Sequence, residues 1–241
     1  MIYLLYAFYM VSNLDLEKYD KTYSVERLSS FAYSENDTIN DIIDNYSNNI
    51  QISLAIYPEL CTLEIILRNA LDSLLKNIFS ENWLEEEVKN NKFLDEYDYQ
   101  TLLKAYNDTK NDCTRDSKPF TAGKVVANLN FGFWTNLCVK KYNSTIWNSP
   151  RRFKSVFVTY PYDNKAITHI AKKLYCIRRF RNRIFHYEKV FKYPARTLHL
   201  YNDILEMLSY LPQDELNILN RTSLFLDTYN KLMEKVGNKK T

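Results

Sequence analysis

The stretch Glu59-Leu60-Cys61-Thr62-Leu63-Glu64-Ile65-Ile66-Leu67-Arg68-Asn69-Ala70-Leu71-Asp72-Ser73-Leu74-Leu75-Lys76-Asn77-Ile78-Phe79 carries its apolar residues at helical spacing. Leu60, Leu63, Leu67, Leu71, Leu74 and Ile78 form one stripe, the signature of a helix with a buried face. Glu64 and Arg68, four apart on a flank of that stripe, are placed to pair, and Asn69 follows directly. The pair either supports the helix at the edge of the core or positions a site.

The same periodicity recurs on both sides. Ser24 to Tyr33 reads as a short helix. Thr38 reads as the N-cap of the next helix, with Asp41 completing a capping box, and Pro58 ends the helix near Tyr57. Tyr97 to Tyr106 and Thr121 to Lys140 read as two more. The latter holds the cluster Phe131-Gly132-Phe133-Trp134, in which a mid-helix glycine costs roughly 1 kcal/mol against alanine. A tight packing contact at Gly132 explains that cost, and Trp134 offers a ring for base stacking as the weaker alternative. Asp163 or Asn164 caps a helix whose stripe is Ile167, Ile170, Leu174, Ile177 and Ile184. Ala195 to Leu211, Asp214 to Leu219 and Thr222 to Val236 complete the helices. The chain has 241 residues, only 3 glycines and 46% hydrophobic residues, and shows no strand-turn-strand pattern. The expectation is an all-α bundle: an N-terminal extension over residues 1–23 and one domain over 24–241.

The scarcity of glycine excludes a phosphate loop. The acidic run with Glu85, Glu86, Glu87, Asp95, Glu96 and Asp98 reads as solvated surface, because consecutive helical residues diverge in direction. Cys61, Cys113, Cys138 and Cys176 lack zinc or redox-pair spacing. With Cys61, Cys138 and Cys176 inside helical segments, the cysteines read as reduced, core or near-core residues of a cytoplasmic protein. No metal and no cofactor is expected. Met1 to Val11 is apolar but short of the roughly 20 residues a membrane span takes. It also lacks the flanks of a secretory signal, so no membrane role is expected. Met10 is an alternative start, and otherwise the run adds a strand or helix to the core.

Net charge is only +3, so an affinity for nucleic acid must come from clustering. From Asn164 to Tyr187 there are seven Lys or Arg residues and no Asp or Glu. Lys173, Arg178, Arg179 and Arg183 in this run are candidate RNA contacts. The run closes with Arg181-Asn182-Arg183-Ile184-Phe185-His186. Histidine moves protons near neutral pH, and arginine holds a phosphate and the charge developing on it. Arg181 continues the stripe of Leu174 and Ile177, which points it toward a cleft or an interface. RNA supplies its own nucleophile, the 2′-hydroxyl. His186 can act as the acid or base, Arg181 can stabilise the phosphate, and Asn182 can orient either. Residues five apart on one helix point about 140° away from each other and lie about 7.5 Å apart along the axis. The helix must therefore turn near Phe185, or two copies must share one cleft, with Ile184 and Phe185 as apolar contact. A histidine at a helix C-terminus also serves as a plain cap. His169 and His199 have no attending carboxylate or cysteine at ligand spacing.

Three strings add a resemblance. Leu63-Glu64-Ile65-Ile66-Leu67-Arg68-Asn69, Asn130-Phe131-Gly132-Phe133-Trp134 and Arg181-Asn182-Arg183-Ile184-Phe185-His186-Tyr187-Glu188 occur in this order. They resemble the Leu-Glu-x-x-Leu-Arg-Asn, Phe-Gly-Phe-Trp and Arg-Asn-Arg-x-x-His-x-Glu motifs of the Abi-like abortive-infection family of the HEPN superfamily. The resemblance covers roughly Ser24 to Leu211. It implies a HEPN-like helical bundle with additional N- and C-terminal helices, and a homodimer whose active site forms across the two copies. It also implies metal-independent endoribonuclease activity in phage defence or a toxin–antitoxin system. Carried onto this chain, Arg181 and His186 are the catalytic pair with Asn182 beside them, and Glu64, Arg68 and Asn69 support them. Some members pair with a structured RNA antitoxin. Tyr187 stands where many relatives have a second histidine, and Lys189 where they often have proline.

Overall fold

The computed structural model describes residues 19, 21–161, 163, 165–212, 219 and 221–238. The described residues are all-α: α1 (Val25–Ser29), α2 (Ile39–Ala55), α3 (Tyr57–Ile78), α4 (Trp83–Asn90), α5 (Glu96–Arg115), α6 (Ala122–Asn128), α7 (Phe131–Leu137), a 3₁₀ turn (Lys140–Tyr142), α8 (Pro150–Val156), α9 (Ala166–Phe185), α10 (Pro194–Tyr210) and α11 (Phe225–Asn238). Asn164, Met1 to Val11 and most of the expected helix Asp214 to Leu219 lie outside the described residues.

The chain groups into two compact units. The first comprises the described residues of Met1–Pro58, Phe180–Tyr201 and Asn220–Thr241. Here Thr38 caps α2 with the reciprocal Asp41 capping box. Leu28, Phe31 and Ile42 make a small core, with Tyr46 edge-on to Phe31 at 5.0 Å. α2 also packs on α11. Tyr201 stacks on Phe225 at 3.9 Å, and Phe225 stacks on Tyr229.

The second unit comprises Glu59–Arg179 and the described residues of Asn202–Leu219. Leu63, Leu67 and Leu71 are fully buried, as the stripe on α3 requires. So are Leu174 and Ile177 on α9. The run Ile39–Ile78 has the length and hydropathy to cross a membrane. It is broken at Ile56, however, and buries Ile42, Ile52, Leu60, Leu63 and Leu67, which is the pattern of core helices.

The acidic run departs from its expectation of a solvated surface. Glu87 is buried, and its carboxylate accepts the backbone N–H groups of Lys92, Phe93 and Leu94 at 2.8 to 3.3 Å. It thereby satisfies the turn that follows the left-handed residue Asn91. Asp98 is fully buried and accepts from Asn136 (2.9 Å), Lys141 (2.7 Å) and the Tyr142 hydroxyl (2.6 Å). This ties the start of α5 to α7 and the 3₁₀ turn. Burial, and then the bond to Asp98, push the Tyr142 phenol far above its ordinary pKa, so it stays a donor.

The expected helix Thr121 to Lys140 is two helices. Thr121 caps α6, but Leu129 is extended and Asn130 starts α7 by accepting from the Phe133 N–H at 2.9 Å. The cap side chain competes with continued helix, which is why asparagine favours this position. Gly132 therefore lies in the first turn of α7. A Cβ there would sit 2.9 Å from Asn130 Oδ1 and 3.7 Å from Arg178 Nη1, the close packing its cost suggested. Trp134 is fully buried, which removes it as a stacking ring for a base.

Two stability outcomes follow. Asp98→Ala strands the Asn136 amide and the buried Tyr142 hydroxyl, leaves Lys141 only Asp95, and lowers unfolding stability by about 3 kcal/mol in urea titrations. Gly132→Ala, which helix propensity alone would favour, costs about 1 kcal/mol in the same assay because it displaces the Asn130 cap.

Candidate functional site at the end of α9

In the first unit, α9 ends in a Schellman turn. The His186 N–H still bonds the Asn182 carbonyl at 2.9 Å, so the chain keeps its helical path through His186. The Tyr187 N–H then bonds Ile184 O (2.9 Å) and the Glu188 N–H bonds Arg183 O (2.8 Å). Tyr187 occupies the left-handed position at φ 57°, where glycine is usual.

The surroundings hold this strained residue. Arg27 donates to the Tyr187 carbonyl at 2.7 Å, and its guanidinium lies 5.7 Å from the Tyr187 ring and 5.9 Å from that of Tyr46. Buried Asn49 donates to the Glu188 carbonyl (3.1 Å) and accepts from the Phe191 N–H (3.0 Å). Arg183 bonds the Glu188 carboxylate at 2.9 Å and the Lys189 carbonyl at 3.4 Å. Burial, then repulsion from Lys192 and Arg183, hold the Lys189 ammonium below its ordinary pKa. Arg27 and Asn49 were not singled out from the sequence. Asn49 had a signal: it occupies an apolar position of α2, seven residues after Ile42 and three before Ile52.

His186 is exposed, and among the described residues its imidazole makes no hydrogen bond. The end of α9 is capped by backbone groups, not by the ring. Asn182 is exposed too. Arg181 is half-buried, its guanidinium 4.4 Å over the exposed Phe185 ring, which lies 6.1 Å from Tyr57. Arg181 thus lies with Phe185 while His186 follows Asn182, about 140° apart on the helical path. α9 ends at Phe185, the His186 N–H keeps the helical bond to Asn182, and the chain reverses at Tyr187.

The remaining residues belong to the second unit. Lys173 bonds Asp203 and Glu206, both at 2.6 Å. Burial works against its charge, but these two carboxylates outweigh it and raise the pKa. Arg178 spreads one nitrogen over Asn136 (2.8 Å), Thr135 and the Gly132 carbonyl. Of the expected RNA contacts, Lys173, Arg178 and, in the first unit, Arg183 are therefore engaged within the fold. Arg179 is exposed, 5.7 Å from the exposed ring of Tyr175. On α3, Glu64 is half-buried. The Arg68 Nε is buried with no hydrogen-bond partner among the described residues. Asn69 is exposed and lines a cavity of about 260 Å³ with Ser73, Asn77 and Ser155. His169 accepts or donates to the Tyr160 hydroxyl at 3.1 Å. Cys138 is buried, Cys61 half-buried and Cys113 buried, whereas Cys176 faces solvent and is no core residue.

Comparison with protein-family models, with curated proteins and with solved structures finds no match to this chain.

The turn itself is testable. At position 187, glycine relieves the left-handed strain and alanine keeps it. Tyr187→Gly is expected to be about 1 kcal/mol more stable than Tyr187→Ala in thermal or urea unfolding. Equal stability of the two variants would mean that the turn holds no strain.

Proposed function

We propose that this chain is a metal-independent endoribonuclease whose active site forms where two copies meet. The observation that carries the reading is the exposed His186 imidazole, left without a capping role at the end of a cationic helix. In the reaction, His186 takes the proton of an RNA 2′-hydroxyl or gives one to the leaving 5′-oxygen. Arg181 stabilises the charge on the phosphate, and Asn182 orients the histidine or the phosphate. Arg179 is the exposed cation of the original set that remains available to an RNA backbone.

A second copy is proposed because one helix directs Arg181 and His186 apart. The first unit also presents Ile50, Leu54, Tyr57 and Phe185 as exposed apolar groups. Ile50, Leu54 and Tyr57 recur at helical spacing, and the Tyr57 ring meets Phe185. Such a row beside the pair suits an isologous contact that sets Arg181 of one copy against His186 of the other. The three motif resemblances support a role in abortive infection or a toxin–antitoxin system, in the cytoplasm, with a structured RNA antitoxin as a fitting partner.

Cleavage of total bacterial RNA in excess EDTA tests the chemistry. Wild-type protein is expected to cut, and His186→Ala to lose at least 100-fold in rate, on the order of the general acid–base contribution. Mixing tests the geometry. Arg181→Ala and His186→Ala, each inactive alone, should regain about a quarter of wild-type activity on subunit exchange, since a mixed dimer rebuilds one of its two sites. No recovery would place each site within one copy. RNA binding without turnover, unchanged by His186→Ala, would leave a binding module or regulatory subunit.

A further inference from the structure

In the second unit, α5 closes with another Schellman turn. The Lys118 N–H bonds Cys113 O (2.9 Å), the Ser117 N–H bonds Thr114 O (3.2 Å), and Ser117 is left-handed at φ 53°. The reversal carries Pro119 back over the last turn of α5, so that its carbonyl lies 3.7 Å from the Cys113 sulfur. Thr121 then starts α6, whose first turn delivers Lys124 to the same point. Lys124 Nζ donates to the Pro119 carbonyl at 2.6 Å and lies 3.6 Å from Cys113 Sγ.

A thiol, an amine and a shared carbonyl therefore meet in a fixed arrangement. The thiol and the amine line a cavity of about 230 Å³ with Thr109, Asp112, Asp116, Lys118 and Asn128. Cys113 is only 7% exposed, so the cavity is the route for a small reagent. Lys118 of the same turn is occupied by Asp116 at 3.2 Å. Cys138, at 0% exposure, has no comparable access.

We propose that Cys113 and Lys124 form a peroxide-responsive pair that closes into a covalent sulfur–nitrogen bridge. The thiolate of Cys113 attacks hydrogen peroxide and breaks its O–O bond. The sulfur is oxidised to a sulfenic acid and hydroxide leaves. The hydroxide takes a proton from the adjacent Lys124 ammonium and becomes water. The freed amine attacks the sulfenic sulfur, the S–N bond forms, the S–O bond breaks, and a second water leaves. Thiol, amine and one peroxide give one sulfenamide and two waters. The bridge staples the end of α5 to the start of α6 and shields Cys113 from irreversible oxidation. An added thiol reverses it by attacking sulfur and returning the amine.

The full chain carrying Cys176→Ser, to remove the exposed thiol, is treated with stoichiometric hydrogen peroxide and analysed by intact mass and peptide mapping. The expected product has lost about 2 Da, links the Cys113 and Lys124 peptides, and reverts with dithiothreitol. Lys124→Arg keeps the charge but not the nucleophilic amine. It should give no link, and a second equivalent of peroxide should instead carry Cys113 to the sulfinic acid, a gain of about 32 Da. Unmodified Cys113, or a sulfinic acid at Cys113 with Lys124 unlinked in the protein that retains Lys124, overturns the proposal.

Discussion

The carboxamide of Asn49 is bonded at both ends to the chain that leaves α9, donating to Glu188 O and accepting from Phe191 N–H. It is 2% exposed, so neither backbone group has water as a substitute. Each bond contributes about 1 kcal/mol net, but each buried group left unmet costs about 1 to 3. The asymmetry makes Asn49 a restraint more than a glue. It fixes the path of residues 188–191, and with the Arg27 bond to Tyr187 it keeps that residue in its left-handed turn. Where Tyr187 turns decides that His186 completes the helix and stands clear of it.

Most of the fold was legible because it is written in local signals. The stripe from Leu60 to Leu74 is buried as read, and the Thr38–Asp41 capping box is present with both of its bonds. The failures come from partners that the apolar pattern does not show. Glu87 and Asp98 looked solvated because neighbouring carboxylates diverge. One captures the turn at Lys92 to Leu94, and the other captures Asn136, Lys141 and Tyr142 from about 40 residues away. The break in the segment from Thr121 to Lys140 was readable in principle, since Asn130 is a strong N-cap residue. The apolar periodicity running through it hid the break.

The site divides in the same way. Arg181, Asn182 and His186 could be singled out as a candidate set because a motif is local. Which of the surrounding cations face solvent was not, because their partners come from elsewhere. Lys173 and Arg179 look alike in sequence, yet α10 brings Asp203 and Glu206 to Lys173 and, among the described residues, nothing comparable to Arg179. An unbroken run of positive charge is therefore a poor measure of a phosphate-binding surface. The informative quantity is the charge left after internal pairing.

The spacing between Arg181 and His186 carries an argument of its own. Four residues apart, the two would stack on one face and reach one phosphate from a single helix. Five apart, they diverge by about 140°. A helix end that turned before His186 would cancel the difference, but the bond from the His186 N–H to Asn182 holds the helical path to that point. A two-fold partner cancels it without distorting either helix, because rotation about the dyad returns the outward face of one copy toward the other. On the proposed reading, activity is then tied to assembly. An isolated chain holds the acid–base group and the phosphate-stabilising group on different faces, and association both completes the site and covers the apolar row beside it. On that reading, whatever binds the row more tightly than a second copy does would silence the proposed activity without touching His186.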